Sequence, residues 1–139
     1  MQEGVTAEMD KVKKFLNLWI PPLLYAILIF WLSSSERPFN IELEVANIDK
    51  LIHFLEYSIF GFLLIRAIRG SDVDISSNRA VLIAFTIGAL YGFTDELHQS
   101  IVPGRFATVS DFIFDSIGTF VGAVVFYLKK SPSHQNKLK

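Results

Sequence analysis

The sequence predicts an all-α fold, an integral membrane four-helix bundle running up and down with both termini on the cytoplasmic side. Three observations predict it. Four apolar runs, at about 15–34, 51–68, 80–97 and 109–128, approach the roughly 20 residues that cross a hydrocarbon core of ~30 Å. The composition is 51% hydrophobic and 19% charged with 13 Phe, against about a quarter charged in soluble domains. The basic residues are also divided unequally between the loops. With four spans, one side carries Lys11, Lys13, Lys14, Arg66, Arg69, Arg79, Lys129, Lys130, Lys137 and Lys139, and the other only Arg37, Lys50 and Arg105. Basic loops stay in the cytoplasm, which places both termini there and the first and third loops outside.

At 139 residues the chain suits one domain. A net charge of −1 without a basic stripe argues against nucleic acid. The lack of cysteine excludes disulfides and thiolate chemistry.

Residues 1–14 are polar and read as a solvated, partly disordered tail, with an amphipathic lead-in helix as the alternative. The first span follows, with Trp19 and Trp31 near its ends as aromatic anchors and Pro21 and Pro22 in its first turns. The basic region before it and the serines after it also suit a signal peptide, but cleavage would leave an odd number of spans, so it reads as retained. A polar loop with Glu36, Glu42 and Glu44 leads to the second span. Here Asp49, His53 and Glu56, spaced i, i+4, i+7, share one helical face. From Asp49 to Glu56 is roughly 10 Å of helix rise, so Glu56 lies below the headgroup layer.

After a short turn capped by Ser76, Ser77 or Asn78, the third span stays apolar until Asp95 and Glu96. Asp95, His98 and Gln99 share a face, whereas Glu96 points about 100° away and suits a cap or a solvent contact. Pro103-Gly104 signals a turn before Arg105, and Thr108 or Ser110 caps the fourth span. That span carries Asp111 and Asp115 at i, i+4, then Gly118 and Gly122, whose spacing permits close helix approach in lipid. A basic tail runs from residue 129 to 139.

Ionisable groups inside a membrane are expensive, about 2.5–3.5 kcal/mol each at a helix centre, and mark functional sites. The polar faces of spans two, three and four all reach the outer end of the predicted bundle. Six carboxylates there (Asp49, Glu56, Asp95, Glu96, Asp111, Asp115) cannot all stay ionised without counter-charge from Arg105, Lys50, His53 or a bound cation.

The blocks DKxxHFLEY at 49–57, TDELHQSIVPGR at 94–105 and SDFxFDSxGxxxG at 110–122 resemble the VanZ-like family, named for a membrane protein associated with low-level teicoplanin resistance. The resemblance covers about 49–128. It implies a multi-pass protein of the bacterial cell envelope with Asp49, His53, Glu56, Asp95, Glu96, Gln99, Arg105, Asp111 and Asp115 at motif positions. In one departure, Asp115 stands where many relatives are expected to have Asn.

Three readings of the cluster follow. It can be a structural network, each interhelical polar contact contributing about 0.6 kcal/mol. It can be an outward-facing pocket for a lipid headgroup, a cell-wall precursor or a lipoglycopeptide, with Arg105 meeting phosphate or carboxylate and Asp49, Glu96, Gln99 and Asp115 around it. It can be a catalytic site in which His53, Glu56, Asp95 and Asp111 act as acid and base or hold a divalent cation. No nucleophile motif, zinc-protease signature or phosphate loop supports the third, so an enzyme is the less favoured reading. No cofactor is expected beyond such a cation. The bilayer is the expected partner, and a homodimer is compatible with the sequence.

Overall fold

The computed structural model describes residues 2–35, 48–105 and 107–130. The polar loop with Glu36, Arg37, Glu42 and Glu44, and Lys137 and Lys139 of the basic tail, lie outside the described residues. Four helices make up the fold: α1 (Gln2–Ser33), α2 (Ile48–Gly70), α3 (Ser77–Gln99) and α4 (Val109–Lys130). Each is long and apolar enough to cross a membrane, and no strand occurs among the described residues.

The largest departure from expectation is in α1, whose 32 residues reach back to Gln2. Residues 2–14 are solvent-exposed wherever their side chains are described, but helical rather than disordered. They contain Ala, Glu, Met and Lys and no proline, a composition that favours helix. At about 1.5 Å per residue α1 is roughly 48 Å long, more than the hydrocarbon core needs, so its polar start projects beyond the apolar run. Pro21 and Pro22 consequently lie in the helix interior rather than in its first turns. Each lacks the N–H that would bond back to the preceding turn.

The centre of the bundle is the contact between α2 and α4. It is close because glycine lines it. A Cβ added to Gly122 would overlap the Ser58 carbonyl oxygen, and one on Gly118 would lie 3.1 Å from the Phe54 carbonyl carbon. From the other side, a Cβ on Gly61 would meet the Thr119 carbonyl carbon at 2.8 Å. Without side chains between them the two backbones come into direct contact, as small residues permit in lipid. Below this contact Tyr57, Phe60, Leu64, Ile65 and Ile68 of α2 form the apolar core with Ile29, Ala80, Ala84 and Ala123.

The outer surface is the reverse of a soluble protein's. Leu23, Leu24, Trp31, Leu82, Leu90 and Leu128 are each 60–65% exposed, while His53, Asp95, Glu96, Gln99, Asp111 and Asp115 are buried. Apolar surface on this scale marks contact with lipid rather than water. An apolar groove of about 790 Å³ between α3 and α4, lined by Leu82, Phe85, Phe112, Ile117 and Phe120, belongs to this surface.

The two ends of the bundle differ in charge. At one end Lys14 pairs with Asp72, Arg66 donates to the Asn17 carbonyl at 3.3 Å, Arg69 donates to the Ile75 carbonyl at 2.8 Å, and the Trp19 indole N–H meets Ser71 Oγ at 3.3 Å. His53, Asp95, Glu96, Asp111 and Asp115 gather at the other end, where Ser33 of α1 meets Asp95 of α3 and His53 of α2 meets Asp115 of α4.

Candidate functional site

The site is built from the start of α4. Thr108 is its N-cap, accepting the Asp111 N–H on Oγ1 at 3.2 Å. In an ordinary capping box the acid three residues on would accept the cap residue's own N–H. Here Glu96 of α3 takes that place, its Oε2 accepting the Thr108 N–H at 2.9 Å. The substitution of one acid by another frees the Asp111 carboxylate, which accepts the Thr108 hydroxyl on Oδ2 at 2.6 Å and reaches towards α2.

Replacing Glu96 by Ala should therefore remove both a cap and a favourable charge at a helix start, costing about 1–2 kcal/mol. Glu96→Gln, which keeps the accepting oxygen, should lose less. Thermal unfolding in detergent measures both, and equal loss would contradict the capping role.

One turn further along α4, Asp115 is fully buried. Its Oδ1 lies 2.9 Å from His53 Nδ1, which joins α4 to α2 beneath the cap. Gly92 makes room for this pair, since a Cβ there would sit 3.2 Å from Asp115 Oδ2 and 3.3 Å from the Tyr57 ring. His53 also belongs to two overlapping groups whose ligand-capable atoms lie within 4.8 Å of one another, Asp49–His53–Asp111 and His53–Glu96–Asp115. Asp49 is the exposed member and the other four are buried.

The carboxylates share a pattern. One oxygen of each of Glu96, Asp111 and Asp115 is held by Thr108 or His53. The second oxygen of each (Oε1, Oδ1 and Oδ2) is buried without a hydrogen-bond partner. Buried polar atoms are nearly always satisfied, so three such atoms in one cluster are informative. Among the described residues no lysine or arginine forms an ion pair with these acids.

The remaining candidates lie elsewhere. Asp95 belongs to a separate, closed network, accepting Ser33 Oγ at 2.8 Å and Gln99 Nε2 at 2.9 Å, while Gln99 also donates to Ser33 at 3.2 Å. This ties α1 to α3. Arg105 donates through Nε to the Ser35 carbonyl at 2.9 Å and through Nη2 to the Leu32 carbonyl at 2.8 Å. It thereby caps the carboxyl end of α1, where cations and donors are favoured. His98 lies against the Phe30 ring, centroids 4.6 Å apart, with Nε2 3.0 Å from Ser34 Oγ. Glu56 is half-buried and falls in neither cation-capable group.

Several contributors escaped the sequence reading. Ser33 ends an apolar run with no periodic signal to mark it. Tyr57 is fully buried, with its hydroxyl unpartnered next to the cluster. Gly88 and Gly92, which admit Thr119 and Asp115, carry the same small-residue spacing as Gly118 and Gly122, and that signal was available.

A multi-pass membrane protein with a buried His–carboxylate cluster at one end of its helices is thus the class that fold and site define. The chain matches the VanZ/LLP1 family over residues 3–130 and belongs to that family. No curated protein and no solved structure matches it.

Proposed function

We propose that the protein is a binding component of the bacterial cell membrane. In this reading its polar end faces outward and recognises the headgroup of a lipid or cell-wall precursor, contributing to glycopeptide tolerance or cell-surface homeostasis. The observation that carries the reading is the set of three buried carboxylate oxygens left without partners around His53. The Asp95–Ser33–Gln99 network, by contrast, contributes no atom to that set. The orientation rests on the basic residues. Lys14, Arg66 and Arg69 lie at the end away from the cluster, and the positive-inside rule keeps that end cytoplasmic. With four spans crossing in turn, up and down, the same rule puts both termini in the cytoplasm. The antibiotic connection comes from the protein for which the VanZ-like family is named, one associated with low-level teicoplanin resistance.

The test is teicoplanin susceptibility in cells expressing wild type, His53→Asn or Asp111→Asn, at matched amounts of protein in the membrane. The variants are expected to lose the protection that wild type confers. Equal protection by all three, or none by wild type, refutes the reading.

A further inference from the structure

We propose that His53, Glu96 and Asp115 form a binding site for one divalent first-row transition cation. Asp111 and Asp49, the neighbouring group through His53, provide the acidic route to it from the exposed edge.

Four observations support the site. The ligand-capable atoms of His53, Glu96 and Asp115 lie within 4.8 Å of one another, and all three residues are buried. Glu96 Oε1 and Asp115 Oδ2 lack hydrogen-bond partners, although Glu96 is 7% and Asp115 0% exposed. The opposite oxygen of each acid is fixed by the protein, Glu96 Oε2 by the Thr108 N–H and Asp115 Oδ1 by His53 Nδ1. For Glu96 the Thr108 bond is the kind of outer-shell contact that orients a metal ligand, and the His53–Asp115 bond engages Nδ1, so Nε2 is the imidazole nitrogen that would take the ion. Finally, Asp49, Glu96, Asp111 and Asp115 bring four acids to one imidazole with no lysine or arginine paired to them among the described residues. A dication supplies the missing positive charge. One imidazole with carboxylates suits manganese, iron or zinc better than the all-oxygen sets of calcium and magnesium.

The inference deepens the headgroup reading, on which its biological sense rests. Arg105 is committed to the α1 carbonyls, and an acidic cluster repels an anionic headgroup. A cation held there would supply the attraction. Cation binding itself is measured without lipid ligand or drug, so the two ideas fail separately.

The experiment uses the full chain in detergent, stripped with EDTA and then titrated with Mn2+ or Zn2+. Bound metal is counted by elemental analysis, and Co2+ absorption reports nitrogen–oxygen coordination. Wild type should retain about one equivalent after desalting and show a raised melting temperature. Loss of one ligand should weaken binding beyond the roughly 10–100-fold seen for outer-shell changes, in His53→Asn, Glu96→Gln and Asp115→Asn alike. His98→Asn, an imidazole outside the cluster, should bind as wild type does. Absence of stoichiometric metal on wild type overturns the proposal even if the variants fail to fold. Undiminished binding by folded His53→Asn also overturns it. Metal bound by wild type together with full protection by Asp111→Asn would instead sink the headgroup reading and leave the cation site standing.

Discussion

Gly122→Val is expected to abolish the folded bundle. Any Cβ at this position overlaps the Ser58 carbonyl oxygen and lies 2.7 Å from its carbon and 2.9 Å from the Phe62 nitrogen. These are backbone atoms, so no rotamer change relieves the clash. The two helices must separate instead. Because the α2–α4 contact continues through Gly118 and Gly61, separation at Gly122 forfeits packing along its length. Overpacking typically costs 1–3 kcal/mol, and a backbone clash at the closest point should reach at least ~3 kcal/mol. The readout is the monodisperse yield and melting temperature in detergent. Gly4→Ala is the counterpart, since nothing lies within 4 Å of a Cβ there. It should be neutral or stabilising by up to about 1 kcal/mol. A Gly122→Val protein that melts with wild type would show that α2 and α4 are not in backbone contact.

His53→Ala is expected to be the most damaging change within the polar cluster. It leaves Asp115, fully buried, without the imidazole 2.9 Å from its Oδ1. Removing one partner of a buried charged pair costs about 3–5 kcal/mol, largely from the charge left behind. Removing that charge as well should therefore help. His53→Ala/Asp115→Asn is expected to be more stable than His53→Ala alone, a non-additivity that residues in direct contact show. Wild type, His53→Ala, Asp115→Asn and the double variant are compared by thermal unfolding in EDTA, so that no cation contributes. If the double variant is as unstable as the sum of its single changes, the two side chains do not interact as the 2.9 Å distance requires.

Much of the architecture was legible because the membrane imposes it. The need for apolar runs long enough to span lipid places three helices to within a few residues of Ile48–Gly70, Ser77–Gln99 and Val109–Lys130, and the end but not the start of α1. The small-residue spacing of Gly118 and Gly122 was readable as close approach, and the structure puts α2 in that space. The helical state of residues 2–14 was less legible, because a polar segment carries no apolar period and only its propensity favours helix.

The polar stretch itself divided in a way that spacing could not show. Helical periodicity places Asp95 and Glu96 about 100° apart on α3, but it does not say which neighbour each one meets. The structure turns Asp95 towards Ser33 of α1 and Glu96 towards the start of α4. Arg105 is the clearest instance. As a residue type it suits phosphate or carboxylate equally well, and only the position of the α1 terminus reveals that it donates to the Leu32 and Ser35 carbonyls.

By itself, then, the sequence determined the class of fold, the family motifs and the presence of costly ionisable groups in apolar helices, since each is a property of composition or local spacing. Only the tertiary structure decided which acids surround His53, which are spent on capping and ties between helices, and which oxygens are left unsatisfied. The decisive ones depend on distances between side chains far apart in the chain, such as His53 and Asp115, 62 residues apart. Such distances are set by how closely glycine lets the helices approach.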